Sequence, residues 1–349
     1  MAATKDTEPF LGVCYNTIGS KLLSVQDDVA TVSVRKGDSE VTAKDPGRIY
    51  DFCWFPFSAQ YSAFLTTGSG FPIHFWDATS SSTMAVLRAS YLGYHQSDPN
   101  LPMAALSCTF NTHATHIYAG YNRRLLVFDV NRPGKHIHER WTSKTRKSSG
   151  QRGLFSTISF NPDHSGIYAV GSYNGSIGLY EERSGDLLGN IGASHPQGVT
   201  HLSWSPDGTY LISGGRKDSE IVVHDVRGTG KPLFSLQRKA PSNQRVYFDV
   251  VIAKGGSAHQ EVWTGSADGC VLVYRLDTGA LTRQIEISPG LSTPPPVNGI
   301  TVSPTAFAVT TGGRRAFTEY ASDHSSSSED DSVCDESQGS SWNDLLGFS

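Results

Sequence analysis

One unit recurs along most of this chain and limits the folds that are open to it. Each copy holds an apolar strand, a turn with Pro, Asp or Gly, a second apolar strand, a polar turn, and a third strand that ends in an aromatic residue and often an Asp. The clearest copy runs from Gly198 to Asp225, GVTHLSWSPDGTYLISGGRKDSEIVVHD. The pairs that end the third strands follow one another at steps of 44 to 52 residues, and they are Trp76-Asp77, Phe128-Asp129, Tyr180-Glu181, His224-Asp225 and Tyr274-Arg275.

A repeat of about 40–50 residues with several short strands predicts an all-β fold, a WD-repeat β-propeller. One small sheet cannot cover its own apolar faces, so the blades must stack in a ring. Seven blades are the predicted number, and six are the alternative. The seven predicted units are residues 10–35, 49–77, 106–129, 158–182, 198–225, 245–276 and 297–317. We expect the ring to close with a strand taken from before Phe10 or from after Phe317.

The composition changes near residue 321 and predicts a different state for the end of the chain. Residues 322–349 contain seven acids and neither Lys nor Arg, a composition that is typical of disorder. We therefore predict a flexible or ring-closing segment 1–9, a propeller 10–320 and a disordered tail 321–349. Apolar residues interrupt the acidic tail, and they are Trp342, Leu345, Leu346 and Phe348. A short helix that docks into a groove of a partner is one hypothesis for this pattern, and an inert solvated tail is the favoured alternative.

The sequence gives no support for a membrane protein, a metal site or a disulfide framework. No apolar run approaches the ~20 residues of a membrane span, and the first residues, MAATKDTEP, do not resemble a secretory signal. The five cysteines, at positions 14, 53, 108, 270 and 334, are scattered and form no CxxC motif. We therefore expect no membrane association, no metal and no cofactor, in a protein of the nucleus or the cytoplasm.

Three residues of one repeat have the types found in a catalytic triad: His195, Ser213 and Asp218. In a WD-type blade, however, the same types form a buried chain of hydrogen bonds that ties the strands together. His224 stands where that chain usually ends in Trp, so we expect an incomplete network. No GxSxG or GxxxxGK[ST] motif occurs. We therefore predict a structural role for these residues, and neither an enzyme nor a small-molecule substrate.

Basic residues fall in corresponding turns of several repeats. Arg123, the pair Arg216-Lys217 and the pair Arg314-Arg315 follow a second strand, and Arg245 enters the sixth unit. Corresponding turns of a propeller lie on one face, because all blades share one orientation. Converging cations bind phosphates, and nearby aromatic rings, here Tyr173 and Tyr247, stack on unpaired bases. Nucleic-acid binding is one hypothesis for this pattern, but the residues alone favour the alternative that Lys and Arg are simply common in exposed turns.

Several strings are more specific than ordinary WD-repeat sequence. They are GSYNGSIGLY (171–180), SGGRKDSEIVVHDVRGTGKPLFSL (213–236), NQRVYFDV (243–250), PIHFWDA (72–78) and IYDFCW (49–54). With these strings, residues 10–317 resemble the telomerase Cajal body protein family.

The resemblance implies a non-enzymatic propeller that binds small Cajal-body RNAs and telomerase RNA through a short loop element, the CAB box. It also implies ribonucleoprotein and telomerase proteins as partners, location in the nucleus and its Cajal bodies, and a part in telomerase assembly and trafficking. The RNA-contact role falls on Arg216, Lys217 and Arg245, which lie inside the matching strings, and less strongly on Arg123. The alternative is a protein-interaction scaffold or adaptor of a nuclear complex, without direct RNA contact.

Overall fold

The computed structural model describes residues 10–16, 19–34, 40–57, 61–79, 83–94, 102–143, 150–192, 194–228, 231–253, 259–303 and 306–312. All regular secondary structure among them is β-strand, and no helix there could cross a membrane. The chain divides into two units, Met1–Arg314 and Arg315–Ser349, and every described residue belongs to the first. The predicted closing segments and the predicted tail 321–349 lie outside the described residues.

The first three blades are built from the first fourteen strands. Blade 1 contains β1 (Phe10–Tyr15), β2 (Lys21–Gln26), β3 (Val29–Val34) and β4 (Glu40–Lys44). Blade 2 contains β5 (Ile49–Trp54), β6 (Ala63–Gly68), β7 (Phe71–Asp77) and β8 (Val86–Tyr94), with the short strand β9 (Pro102–Met103) paired to β8. Blade 3 contains β10 (Ser107–Phe110), β11 (His116–Gly120), β12 (Arg124–Asp129) and β14 (His138–Trp141), while β13 (Gly134–Lys135) pairs with β8 of blade 2.

Three further four-stranded blades and one two-stranded sheet follow. Blade 4 contains β15 (Phe155–Phe160), β16 (Ile167–Ser172), β17 (Ile177–Glu181) and β18 (Leu187–Ile191). Blade 5 contains β19 (Val199–Trp204), β20 (Tyr210–Gly215), β21 (Glu220–Asp225) and β22 (Pro232–Gln237). Blade 6 contains β23 (Phe248–Ile252), β24 (Gln260–Gly265), β25 (Cys270–Arg275) and β26 (Leu281–Glu286), and the last sheet pairs β27 (Val297–Val302) with β28 (Phe307–Thr311).

The ring closes through the first strands of the sheets. Within each blade, consecutive strands pair antiparallel, and the first strand of each sheet contacts the first strand of the next. Strand β27 of the last sheet in turn contacts β1 of the first blade. The all-β propeller is therefore confirmed. Its described part has six blades of four or more strands, the predicted alternative number, and a two-stranded sheet at the place of the seventh unit.

A strand's place within its blade decides how deeply it is buried. The second strand β6 is buried along all of its six residues, because neighbouring blades cover both of its faces. The fourth strand β26 has five exposed residues among its six and forms part of the rim. Most of the apolar core therefore lies between blades. One such cluster joins Ile177 of blade 4 to Trp204 and Leu211 of blade 5.

Candidate nucleic-acid interface

The predicted basic turns of Arg123 and of Arg216-Lys217 lie at one end of the propeller, which we call the upper face. There, each turn between a second and a third strand meets the segment that begins a first strand. The backbone N–H of Arg216 donates to the carbonyl of Gly198 at 3.0 Å, and that of Lys217 donates to Ser242 at 3.0 Å. The N–H of Arg123 likewise donates to Gly153 at 2.9 Å. Antiparallel strands alternate in direction, so the turns between first and second strands form the opposite, lower face.

Two of the basic positions have an uncommon backbone conformation. Arg123 and Lys217 have φ angles of 58° and 46°, in the left-handed region that favours glycine. Such a conformation costs a non-glycine residue about 1–3 kcal/mol and is concentrated at functional sites. The Lys217 side chain is exposed, and Arg123 is half-buried.

Arg216 stacks on Tyr173, the aromatic residue of the neighbouring turn. The guanidinium carbon lies 4.9 Å from the centre of the Tyr173 ring, and both residues are half-buried. Gly198 makes this approach possible. Its φ is +105°, and a Cβ atom there would lie 2.6 Å from the carbonyl oxygen of Tyr173. A stack of this kind is worth about 0.5–1 kcal/mol at an exposed site, so it holds a flat, charged surface in place.

Arg245 differs from the prediction, because its side chain lies inside the ring among the first strands of the blades. We call this region the axial channel. Arg245 Nη1 donates to Asp51 Oδ1 at 2.8 Å and to the Tyr247 hydroxyl at 3.1 Å, and its Nη2 donates to the Ser156 carbonyl at 2.7 Å. Asp51 and Ser156 lie on the first strands of blades 2 and 4, so one guanidinium joins three blades. A buried charge must be paired, and these internal partners occupy both of its terminal nitrogens.

The ionisation of the channel groups follows from their burial. Burial raises the pKa of Asp51, and the charge of Arg245 and the N–H of Cys108 offset only part of this effect. Burial alone would lower the pKa of Arg245, but Tyr247, Asp51 and Tyr173 outweigh it, and the pKa rises. Burial raises the pKa of Tyr247 to about 12, so this residue remains a neutral phenol. Its ring packs against Phe52 and is part of the channel wall.

The polar chain of blade 5 is complete. His195 Nδ1 lies 2.6 Å from Asp218 Oδ2, and its Nε2 lies 2.9 Å from Ser213 Oγ. Ser213 Oγ in turn lies 3.2 Å from Nε2 of His224. The expectation of an incomplete network is therefore wrong, because the imidazole of His224 reaches the hydroxyl itself. This chain of hydrogen bonds lies directly behind the turn that contains Arg216 and Lys217, and it fixes the backbone of that turn.

Comparison with known proteins agrees with this architecture. A family model described as WD domain, G-beta repeat, matches residues 187–225. Telomerase Cajal body protein 1 of Bos taurus and that of Homo sapiens are each 37% identical over 279 residues, which is 78% of this chain. The Telomerase Cajal body protein 1 homolog of Drosophila melanogaster is 32% identical over 255 residues, which is 70% of this chain.

Over this aligned part, the chain belongs to the telomerase Cajal body protein family. It spans about half the length of the curated relatives that it matches, 48% of the bovine and human proteins and 43% of the fly protein.

In this member of the family, charge is distributed unevenly over the upper face. Arg48 Nε lies 2.8 Å from Asp27, and Lys239 Nζ lies 3.0 Å from Asp268. These pairs belong to blades 1, 2 and 6. Within the described ranges, Arg123 and Lys217 take part in no ion pair. Positive charge without an acidic partner is therefore found over blades 3 and 5.

On the lower face, three ion pairs lie at the ends of third strands. Asp225 binds Arg227 and Asp277 binds Arg275, each at 2.8 Å. On the same face, Arg88 Nη2 lies 2.8 Å from Asp77 Oδ2. Neutral ion pairs of this kind offer little attraction to a phosphate chain.

Some of the predicted residues are not described by the structure. Arg314-Arg315 and the tail residues Trp342, Leu345, Leu346 and Phe348 lie outside the described residues. Sequence reasoning missed Asp51, the partner of Arg245, because its only signal is one acid inside an apolar strand. Within the residues that the structure covers, no three His, Cys, Asp or Glu side chains are placed to hold a metal.

Proposed function

We propose that this protein is a non-enzymatic scaffold that binds an unpaired loop of RNA over blades 3 to 5 of its upper face. The observation that carries the proposal is the Arg216–Tyr173 stack beside the exposed Lys217. Unpaired bases stack on guanidinium planes and aromatic rings, and phosphates bind to lysine and arginine. The arrangement offers both kinds of contact within one pair of neighbouring turns.

Each residue has a distinct role in this proposal. Lys217 and Arg123 hold phosphates, and the outer surface of the Arg216–Tyr173 stack receives a base. Arg245 acts from within the channel, where it positions Tyr247 and holds blades 2, 4 and 6 together behind the binding surface. Arg245 is thus a positioning residue in our proposal.

Our proposal for the identity of the RNA rests on the family resemblance. Telomerase and the Cajal body appear in the names of the relatives. We therefore propose small Cajal-body RNAs and telomerase RNA as ligands, with a CAB-box loop as the recognised element. The partners would be ribonucleoprotein and telomerase proteins, and the site of action the Cajal bodies of the nucleus, with the cytoplasm as a second location.

A matched pair of lysines tests the site. We expect Lys217→Glu to weaken binding of an RNA hairpin with a CAB-box loop by roughly tenfold, since a charge-assisted contact is worth about 1.5–3 kcal/mol. The slope of log affinity against log salt should fall by about one. The control is Lys239→Glu, which makes the same charge change on the same face at a lysine already paired with Asp268.

Both binding curves can be measured by fluorescence anisotropy at several salt concentrations. Equal weakening by the two variants would mean that only overall charge matters, and the proposed site would then be wrong. Full affinity in Lys217→Glu would exclude the site as well.

A second candidate function is a protein-interaction scaffold without RNA contact. On the lower face, Phe57 and Tyr61 are 51% and 56% exposed, and both rings pack on Phe55. Exposed aromatic clusters are common at protein interfaces. Crosslinking to RNA in cells separates the two functions, because a pure protein scaffold would yield no RNA fragments crosslinked to peptides of blades 3 to 5.

A further inference from the structure

The propeller brings together thiols that are far apart in the sequence. Cys53 on β5 and Cys108 on β10 belong to one apolar cluster between blades 2 and 3. Both side chains pack in that cluster, where β5 and β10 are in contact, and neither thiol is in a disulfide. A third free cysteine, Cys14 on β1, packs on the neighbouring cluster between blades 1 and 2.

The thiol pair lies beside the charged centre of the channel. Asp51, two residues before Cys53, accepts the backbone N–H of Cys108 at 3.0 Å and binds Arg245 at 2.8 Å. Alternate residues of a strand share one face, so Asp51 and Cys53 both face β10. The cluster therefore joins the first strands of two blades at the level where Arg245 is held.

We propose that Cys53 and Cys108 are a reversible oxidation site that forms a disulfide when the protein meets a hydroperoxide. The Cys53 thiolate attacks one peroxide oxygen, the O–O bond breaks, and a sulfenic acid and water result. The Cys108 thiolate then attacks the Cys53 sulfur, the S–S bond forms, the S–O bond breaks, and a second water leaves. Two thiols lose two electrons, and one hydrogen peroxide becomes two waters. An external thiol such as glutathione reverses the reaction.

Accessibility sets the order of the two steps. Cys53 is half-buried, whereas Cys108 is only 4% exposed, so an oxidant from solvent meets Cys53 first. The neighbouring thiol of Cys53 and burial raise the pKa of Cys108. Cys108 therefore reacts poorly with external oxidants, but contact with Cys53 makes the second step intramolecular. Disulfide formation should become faster as pH rises, because the thiolate fraction increases.

Peptide mapping without reduction tests the proposal on the full chain. Trypsin separates Cys14, Cys53 and Cys108, because cleavage after Lys and Arg leaves them in peptides 6–21, 49–88 and 89–123, respectively. After treatment with hydrogen peroxide, we expect 49–88 linked to 89–123, and dithiothreitol should release both. The link should disappear in Cys53→Ser and Cys108→Ser and persist in Cys14→Ser.

The peptides linked in the wild-type protein are sufficient to test the proposal, so the test remains valid if a variant folds poorly. A link from 49–88 to 6–21 would overturn the assignment. The assignment would also be overturned if no link formed and Cys53 were oxidised to the sulfinic acid. The readout is chemical, so it stands whether or not the protein binds RNA.

Discussion

His195 is fully buried, and both of its ring nitrogens have internal partners. A general base needs a nitrogen within reach of the proton that it takes from the substrate, and none is left here. The three side chains of the apparent triad therefore serve the blade, and His224 extends the chain that Trp usually ends. The same residue types carry out chemistry or hold strands together according to what surrounds them.

The carboxylate of Asp218 should contribute to stability in a pH-dependent way. Burial alone would raise its pKa, but hydrogen bonds from His195 and from the N–H of Glu220 lower it. The folded state thus releases this proton more readily than the unfolded chain, whose Asp titrates near pH 3.9. The stabilisation is present above about pH 4 and is lost as pH falls through the lower folded value.

Asp218→Asn should therefore lower the melting temperature at pH 7 and reduce its decline between pH 5 and pH 3. Thermal melts across that range, with the exposed Asp186→Asn as control, measure the effect. Identical pH profiles for wild type and Asp218→Asn would contradict this role.

At the scale of strands, tertiary pairing decides what local pattern cannot. The polar residues that follow Asp129 contain β14, which completes blade 3. Arg124 of β12 binds Glu139 of β14 at 2.5 Å and stacks on Trp141 at 5.2 Å. An outer strand needs few apolar residues, because solvent covers most of it, and its partner strand supplies the backbone hydrogen bonds.

Trp204 at the end of β19 tests how much the packing between blades contributes. It is 5% exposed, packs in the cluster between blades 4 and 5, and donates its indole N–H to the Ser159 carbonyl at 3.0 Å. We expect Trp204→Ala to reduce the free energy of unfolding by about 3–5 kcal/mol. Leu233→Ala on the outer strand β22, where the side chain is 51% exposed, should change it by less than about 0.5 kcal/mol. Urea unfolding measures both, and similar losses would argue against a core located between blades.

At the scale of the whole molecule, stability depends on closing the ring. Strands β1 and β27 come from opposite ends of the described chain and pack together. Each blade covers the faces of its neighbours, so a weak junction exposes two sheets at once. Gly299 lies at this junction, where a Cβ atom would stand 2.3 Å from Thr310 Oγ1 and 3.2 Å from the backbone nitrogen of Val13.

Gly299→Ala should therefore destabilise the protein by about 1–3 kcal/mol, the usual cost of overpacking. Gly189→Ala on the outer strand β18 makes the same chemical change where no atom lies within 4 Å, so it should be neutral or slightly stabilising. Differential scanning calorimetry compares the two. If Gly299→Ala melted at or above the temperature of Gly189→Ala, the tight junction would be refuted.

The amino-acid sequence determined the all-β class, the repeat and the first three strands of most blades. Strand periodicity and turn residues are local properties, so a single unit such as 198–225 reveals them. The same regularity placed Arg123 and Arg216-Lys217 in corresponding turns, because repeats of one kind share one orientation.

Only the tertiary structure decided which residues meet across blades. Arg245 and Asp51 are 194 positions apart, and the thiols of Cys53 and Cys108 come from different repeats. Closing the ring sets first strands of distant blades around one axis, where a buried charge must find its partner. Nothing local in the sequence distinguishes a surface arginine such as Arg216 from the channel arginine Arg245, because burial is a property of the assembled ring.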